Sequence, residues 1–162
     1  MTLAYGNMPL DRCTNQRKNK RWLSTEFNHE KSLFCVINDG MSLFSKAEAL
    51  VPIYLSKAQL QTLSVDSCIY LGKGSLDSSQ SAIVSIFAID FNKLRFSTQE
   101  ELSEMGQWQG LRKVTANLSA IDASILALAK GLVHWHISHQ FCGQCGHANR
   151  SVEAGHARRC SE

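Results

Sequence analysis

No stretch of this chain approaches the run of about 18 apolar residues that a membrane helix needs, so no helical membrane span is expected. Met1-Thr2-Leu3-Ala4-Tyr5-Gly6 carries neither the charged start nor the apolar core of a secretory signal. Acidic residues are scarce early on: Asp11 is the only one before Glu26, while Arg12, Arg17, Lys18, Lys20 and Arg21 crowd together. No Gly-rich phosphate loop of Walker or Rossmann type is present, and Gly72-Lys73-Gly74 is too short to count as one. No Gly-x-Ser-x-Gly elbow appears, so no nucleophile can be argued. Internal repeats and long low-complexity segments are also missing.

What remains is a soluble-protein composition. With 162 residues, 44% hydrophobic and 19% charged, the chain suits one domain of ordinary size plus a small appendage. Such a chain buries roughly two thirds of its unfolded surface without disulfide staples. A net charge of +3 gives no global argument for nucleic-acid binding. The basic cluster at 12 to 21, with Trp22 and Phe27 nearby, reads as a solvated tail; a weak organellar presequence is the competing reading. Six cysteines without a secretory signal are read as thiols and metal ligands, which favours a reducing, cytoplasmic compartment.

Residues 1–31 are polar, basic and aperiodic, so a loosely ordered lead-in is expected. Leu33-Phe34-Cys35-Val36-Ile37 and Met41-Ser42-Leu43-Phe44 flank Asn38-Asp39-Gly40, a hairpin signal. Val51 to Leu55 reads as an edge strand because Pro52 cannot donate to a ladder, and Ser56 is expected to cap a short helix through Leu60 and Leu63. Ser67 to Leu71 reads as a strand closed by Gly72-Lys73-Gly74 and a Ser/Asp-rich loop to Ser81. Ala82 to Asp90 is almost continuously apolar, which predicts a central strand covered on both faces. Phe91 to Gly110 is mixed, with a turn of helix around Glu100 to Met105.

A long helix is predicted from Leu118, with Ser119 as N-cap and Asp122 completing a weak capping box. Ile121, Ile125, Leu128, Leu132 and Trp135 recur at helical spacing and predict its buried face. Gly131 inside this helix costs about 1 kcal/mol against alanine, so close packing is expected there. The fold class is therefore α+β: a mainly antiparallel sheet and a long C-terminal helix, followed by an incomplete zinc ribbon.

The sharpest chemical signal is Phe141-Cys142-Gly143-Gln144-Cys145-Gly146, with Cys160 after fourteen intervening residues. Two residues between thiolates let both sulfurs address one ion, and Gly143 and Gly146 allow the backbone to approach closely. The spacing to Cys160 is near that of a zinc ribbon. A thioredoxin-like redox pair competes, but it expects the cysteines ahead of a helix, and here they follow one. Cys142, Cys145 and Cys160 are thus candidate ligands of a structural Zn2+. For a fourth donor the sequence offers His147, His156, His139 and Cys13, with His156 the best local substitute.

His134, His136 and His139 bracket Trp135. On a helix only His136 and His139 face each other, and neither has a carboxylate nearby, so core packing is preferred to a metal role. Glu100, Glu101 and Glu104 tempt a magnesium reading, but a solvated helix surface is the commoner outcome.

Residues 127 to 146, Ala-Leu-Ala-Lys-Gly-Leu-Val-His-Trp-His-Ile-Ser-His-Gln-Phe-Cys-Gly-Gln-Cys-Gly, resemble the helix-to-ribbon junction of NADH pyrophosphatases of the Nudix hydrolase superfamily. Ala157-Arg158-Arg159-Cys160 resembles the returning ribbon strand. Tyr70-Leu71-Gly72, Phe87-Ala88-Ile89-Asp90 and Gly110-Leu111-Arg112 also fit. The resemblance implies a Nudix-like N-terminal domain over residues 32–138 and a partial ribbon over 139–162. In the family two further residues and then a fourth cysteine follow the third, and a catalytic Nudix domain comes next.

That family cleaves NADH, NAD and NAD-capped RNA with Mg2+ or Mn2+ held by glutamates of a box running Gly-x5-Glu-x7-Arg-Glu-apolar-x-Glu-Glu-x-Gly. This sequence contains no such box, and Glu100 to Gly106 does not fit it. Only Cys142, Cys145 and Cys160 carry over, as zinc ligands; no catalytic or cofactor-binding residue does. The expected role is the non-catalytic N-terminal portion of the enzyme, acting in folding and homodimerisation and inactive alone. NAD(H) or NAD-capped RNA would be met only through the catalytic domain. A stand-alone zinc-ribbon module is the alternative, contacting RNA or protein through Arg158-Arg159 and the basic tail.

Overall fold

The computed structural model describes residues 8–60, 63–76 and 82–162. Gln61, Thr62 and the end of the Ser/Asp-rich loop through Ser81 lie outside these. The hairpin forms as read: β1 (Leu33–Asn38) pairs antiparallel with β2 (Met41–Phe44). Asp39 and Gly40 take φ of +48° and +73°, the left-handed pair that a two-residue hairpin turn demands. β3 (Leu55–Ser56) pairs with the start of β1, and Pro52 makes a single bridge to Phe44, so the edge strand is shorter than expected.

β4 (Cys68–Gly74) and β5 (Val84–Asp90) complete one side of the sheet, and β6 (Gln107–Gly110) closes the other, giving the order β4-β5-β1-β2-β6 with β3 on β1. Only β1 and β5 run parallel among these pairs. β5 is buried on both faces: Ile86 and Ala88 join the layer under α4 (Ala120–Ser138), and Phe87 and Ile89 join the opposite layer. That second layer is capped by Phe27 of α1 (Lys20–Asn28) and Leu102 of α2 (Phe96–Met105). A short α3 (Leu111–Val114) leads toward α4. The α+β class and mainly antiparallel sheet stand.

Several local expectations change. Within the described part of residues 1–31 the chain is packed, not loose. Leu10, Cys13 and Phe27 are buried, and Asp11 exchanges two backbone hydrogen bonds with Lys73 at 2.9 and 2.8 Å. Asn19 caps α1 by accepting from the Arg21 and Trp22 amides. Scattered apolar residues with no period hid this, because each is buried by a different partner. Gly72-Lys73-Gly74 continues β4 through a bulge instead of closing it. Gly72 has φ of +150°, and a Cβ on it would lie 2.7 Å from the Asp11 carbonyl oxygen, so the lead-in lies directly on these glycines.

Ser119 caps α4 as expected, its hydroxyl accepting from the Asp122 amide at 3.0 Å and donating to that carboxylate at 2.7 Å. The buried face of α4 is rotated from the one predicted. Ile125, Leu126, Ala129, Val133 and His136 are buried, while Ile121, Leu128 and Leu132 flank the core and Trp135 is half-buried. Small Ala129 permits close approach to the sheet, so the heavier apolar residues are left on the flank. Gly131 is exposed, and a Cβ there would meet nothing within 4 Å. It is not a packing glycine.

Candidate metal centre

α4 ends at Ser138, and a tight knuckle leads into β7 (Asn149–Val152), a helical turn at Glu153–Gly155 and β8 (Ala157–Cys160). The two strands pair antiparallel, which sets Cys160 opposite Asn149 and brings it back to the knuckle. Inside the knuckle the Cys142 amide donates to the His147 carbonyl at 2.7 Å, and the Gly146 amide donates to the Cys142 carbonyl at 2.9 Å. Gly146 has φ of +76°, so this glycine is conformationally required; Gly143 is not, having open space around it and no positive φ.

The result gathers the three predicted cysteines. The sulfurs of Cys142, Cys145 and Cys160 lie within 4.8 Å of one another, with Cys145 and Cys160 at 3.4 Å. Zinc–sulfur bonds of about 2.3 Å in a tetrahedron place sulfurs about 3.8 Å apart, so the donor set fits such an ion. The electrostatics point the same way. Backbone N–H groups of Gln144 and Cys145, together with the Cys145 thiol, lower Cys142 to about 7, because hydrogen bonds to sulfur favour its thiolate. The His147 N–H pulls on Cys145 likewise, yet sharing protons with Cys160 and Cys142 pushes that thiol up to about 11. Cys142 is thus more readily ionised near neutral pH than Cys145, and a bound cation would favour loss of the Cys145 proton as well.

The four alternative donors separate clearly. His156 faces away, its Nε2 donating to the Tyr70 carbonyl at 2.6 Å. Cys13 is buried beside the Tyr70 hydroxyl at 3.5 Å. His139 pairs with the Ser138 hydroxyl at 2.9 Å. His147 alone of the four sits by one of the thiols, grouped with Cys145 and Glu162 within 4.8 Å, its Nδ1 3.1 Å from the Glu162 carboxylate. His156 as the best substitute is therefore overturned: the turn before β8 carries it onto the sheet.

The rest of the ribbon is a docking device that sequence reasoning did not find. His136, on the buried stripe of α4, donates from Nε2 to the Gly155 carbonyl at 2.8 Å and accepts at Nδ1 from Arg158 at 3.0 Å. That pairing requires a neutral ring, and burial indeed holds His136 below the ordinary histidine range. Arg158 also donates to the Asn149 carbonyl at 2.9 Å, so it faces inward. Gly155, at φ of +95°, abuts Ile69 so closely that a Cβ would lie 2.8 Å from its methyl carbon. The signal available in the sequence was the 129/133/136 spacing that continues the helix's small-residue face. Glu100, Glu101 and Glu104 lie exposed on α2, a solvated surface.

The comparisons with known proteins divide the chain at the same junction. Residues 31–135 match the model of the NADH pyrophosphatase-like rudimentary Nudix domain, and residues 137–162 match that of the NADH pyrophosphatase zinc ribbon domain. This chain belongs to the NADH pyrophosphatase-like Nudix family. Among its relatives, human mitochondrial NAD(P)H pyrophosphatase NUDT13 is 37% identical over 76 residues, which span 47% of this chain and 21% of that protein. The mouse protein of the same name is 34% identical over 129 residues, 68% of this chain and 34% of its own length. Chloroplastic Nudix hydrolase 19 of Arabidopsis thaliana is 29% identical over 108 residues, 62% of this chain and 23% of the hydrolase. The Nudix-family chain therefore spans about a fifth to a third of these relatives. No helix among its described residues is long and apolar enough to cross a membrane.

Proposed function

We propose that these residues form the non-catalytic N-terminal portion of an NAD(P)H pyrophosphatase. In this reading the Nudix-like domain supports folding and homodimerisation, and Cys142, Cys145 and Cys160 hold one structural zinc ion. The carrying observation is three sulfurs gathered within 4.8 Å on a hairpin locked to that domain. Hydrolysis of NAD(H) or NAD-capped RNA, with its Mg2+ or Mn2+, belongs to a Nudix box that this sequence does not contain. Six free thiols suit a reducing compartment, the cytoplasm being the proposed one.

His147 is the proposed fourth donor within the described residues, since of the four candidates it alone stands beside one of the thiols, Cys145. Cobalt titration tests the site directly. One equivalent should produce sulfur-to-cobalt charge-transfer bands in a tetrahedral spectrum, and zinc should displace it. Cys145→Ser or Cys160→Ser should abolish those bands at stoichiometric metal. Bands that survive both substitutions would sink the assignment. Turnover of NADH above background with Mg2+ would separately remove the non-catalytic role.

A further inference from the structure

A cleft of about 610 Å³ opens between the N-terminal segment and the ribbon, and none of Cys142, Cys145 and Cys160 lines it. Its rim and its floor differ in chemistry. Lys18, Lys20, Arg150 and Arg159 line it as exposed side chains, whereas Leu23, Val65, Val152 and Ala154 line it half-buried. Arg17, Asp66 and Glu153 are the other charged groups in its wall. Glu153 stands 3.8 Å from Arg17 and 3.7 Å from Lys18, and no ion pair with Lys20, Arg150 or Arg159 forms among the described residues. An aliphatic trough is thus bordered by cations, and those on Lys20, Arg150 and Arg159 have no carboxylate against them.

Two features show that the rim charge is held against local preference. Arg150 and Arg159 are direct cross-strand partners, and like charges in that position repel. Lys20 opens α1, whose first turn has no acid, although a helix N-terminus disfavours cations. An acidic group in the cleft relieves both. The floor decides what carries that acid. Among the described residues that line the cleft none is aromatic, so a nucleobase would find no stacking partner. A free inorganic anion would leave the aliphatic floor in water. An acidic polypeptide segment with aliphatic side chains satisfies both parts, its carboxylates on the rim and its apolar groups on the floor.

We infer that this cleft docks an acidic segment of a partner protein, one that carries Leu, Val or Ile between its carboxylates. The inference goes beyond the zinc and scaffold reading and asks nothing of a catalytic domain. Arg159 meets the segment and Arg158 does not, because Arg158 is committed to His136 and the Asn149 carbonyl. One wall belongs to α1 and the turn before it, the other to the ribbon hairpin, so an occupant spans the junction and holds the two together. Occupancy should therefore slow amide exchange at Val152 to Gly155.

The test is fluorescence anisotropy of the purified chain with a labelled peptide that sets glutamates around a Leu-Val-Leu centre. Its counterparts are the same peptide with serine in place of those aliphatic residues, and a single-stranded RNA of equal net charge. The aliphatic peptide should bind at low salt, and exchange at Val152 to Gly155 should slow when it does. The serine peptide should bind at least about tenfold more weakly, because the floor rewards only apolar surface. The RNA should also bind more weakly than the aliphatic peptide. Arg150→Thr with Arg159→Thr should weaken the aliphatic peptide about tenfold through two lost ion pairs. Both residues are exposed, and a Thr–Thr pair is favourable across strands, so the hairpin is kept; unchanged exchange at Gly155 in the peptide-free variant confirms it. Arg112→Gln with Lys113→Gln, exposed on α3 and outside the cleft, should leave binding unchanged. No binding of the aliphatic peptide at low salt overturns the proposal. So does equal binding of the serine peptide, RNA binding as tight as the peptide's, or equal loss from the α3 pair.

Discussion

Phe34, Phe44, Tyr70 and Phe87 are wholly buried in the sheet domain, whereas between His139 and Glu162 only Gly155 is buried. The two regions are stabilised by different physics. Phe87 stacks on Phe34 at 5.2 Å and meets Phe27 and Tyr70 edge-on, so burial and ring geometry reinforce each other. The ribbon has no such interior. It is fixed at one end by the cysteine knuckle and at the other by His136, His156 and Gly155 against the sheet. A hairpin of that size is marginal alone, so its order is borrowed from the domain and from whatever the thiols hold.

The largest break in this contrast is Phe87→Ala. Removing a fully buried phenylalanine leaves a cavity as well as a transfer loss, about 3–5 kcal/mol in all. Since a domain of this kind has about 5–15 kcal/mol in total, that loss is a large share of its stability margin. Urea unfolding should show the whole sheet lost at lower denaturant, with the ribbon following because its docking surface is gone. A ribbon that keeps slow amide exchange in that variant would mean it does not depend on the domain.

A smaller perturbation separates the regions without touching the sheet. His136 and His156 are both held below the ordinary histidine value, chiefly by burial. Around His136 stand Arg158, Lys93 and the Gly155 carbonyl, with Asp90 lining the same small cavity. Around His156 stand the Tyr70 carbonyl, Arg17, Arg12 and Glu153. A lowered folded pKa means that docking is fully supported above the unfolded value of about 6.5 and is lost as pH falls below it. Amide-exchange protection at Gly155 and His156, taken relative to the intrinsic rate at each pH, should therefore fall between pH 7 and pH 5 while Phe34 to Ile37 stays protected. The double variant His136→Gln, His156→Gln should flatten that pH response, even though acid also protonates the thiols. An unchanged response in it would assign the effect to the thiols alone.

How much of each region was legible in the sequence follows the same divide. β5, the Asp39-Gly40 hairpin and the Ser119 cap rest on local chemistry, so period, turn residues and capping spacing exposed them. The gathering of the three cysteines was legible because Cys-x-x-Cys carries its geometry within four residues, and strand pairing returned Cys160 to it. Non-local features were hidden. Leu10 on Gly72, Gly155 on Ile69 and His136 on Arg158 join residues far apart in the chain, and nothing in either partner alone marks the contact. The lead-in was misread for that reason, since its order comes from the β4 edge and not from its own pattern. β6 was missed because Gln107-Trp108-Gln109-Gly110 is too short and polar to read as a strand without β2 beside it.

Gly131 gives the finest test, because the sequence and the structure explain it in opposite ways. A glycine inside a long helix suggests that a neighbour comes too close for a side chain. Here the position is exposed, φ is not in the left-handed region, and a Cβ would touch nothing within 4 Å. The residue then contributes only its entropic cost, which is larger for glycine than for any other residue in a helix interior. Gly131→Ala should raise stability by about 0.5–1 kcal/mol, chiefly by restricting the unfolded chain. Thermal unfolding should show a higher midpoint, with the amide exchange of the ribbon unaltered. A lower midpoint would mean that this face of α4 is covered in solution, and a second copy of the chain packed there would account for it. The substitution therefore also probes the homodimer proposed above, because an uncovered face gains from alanine and a covered one does not.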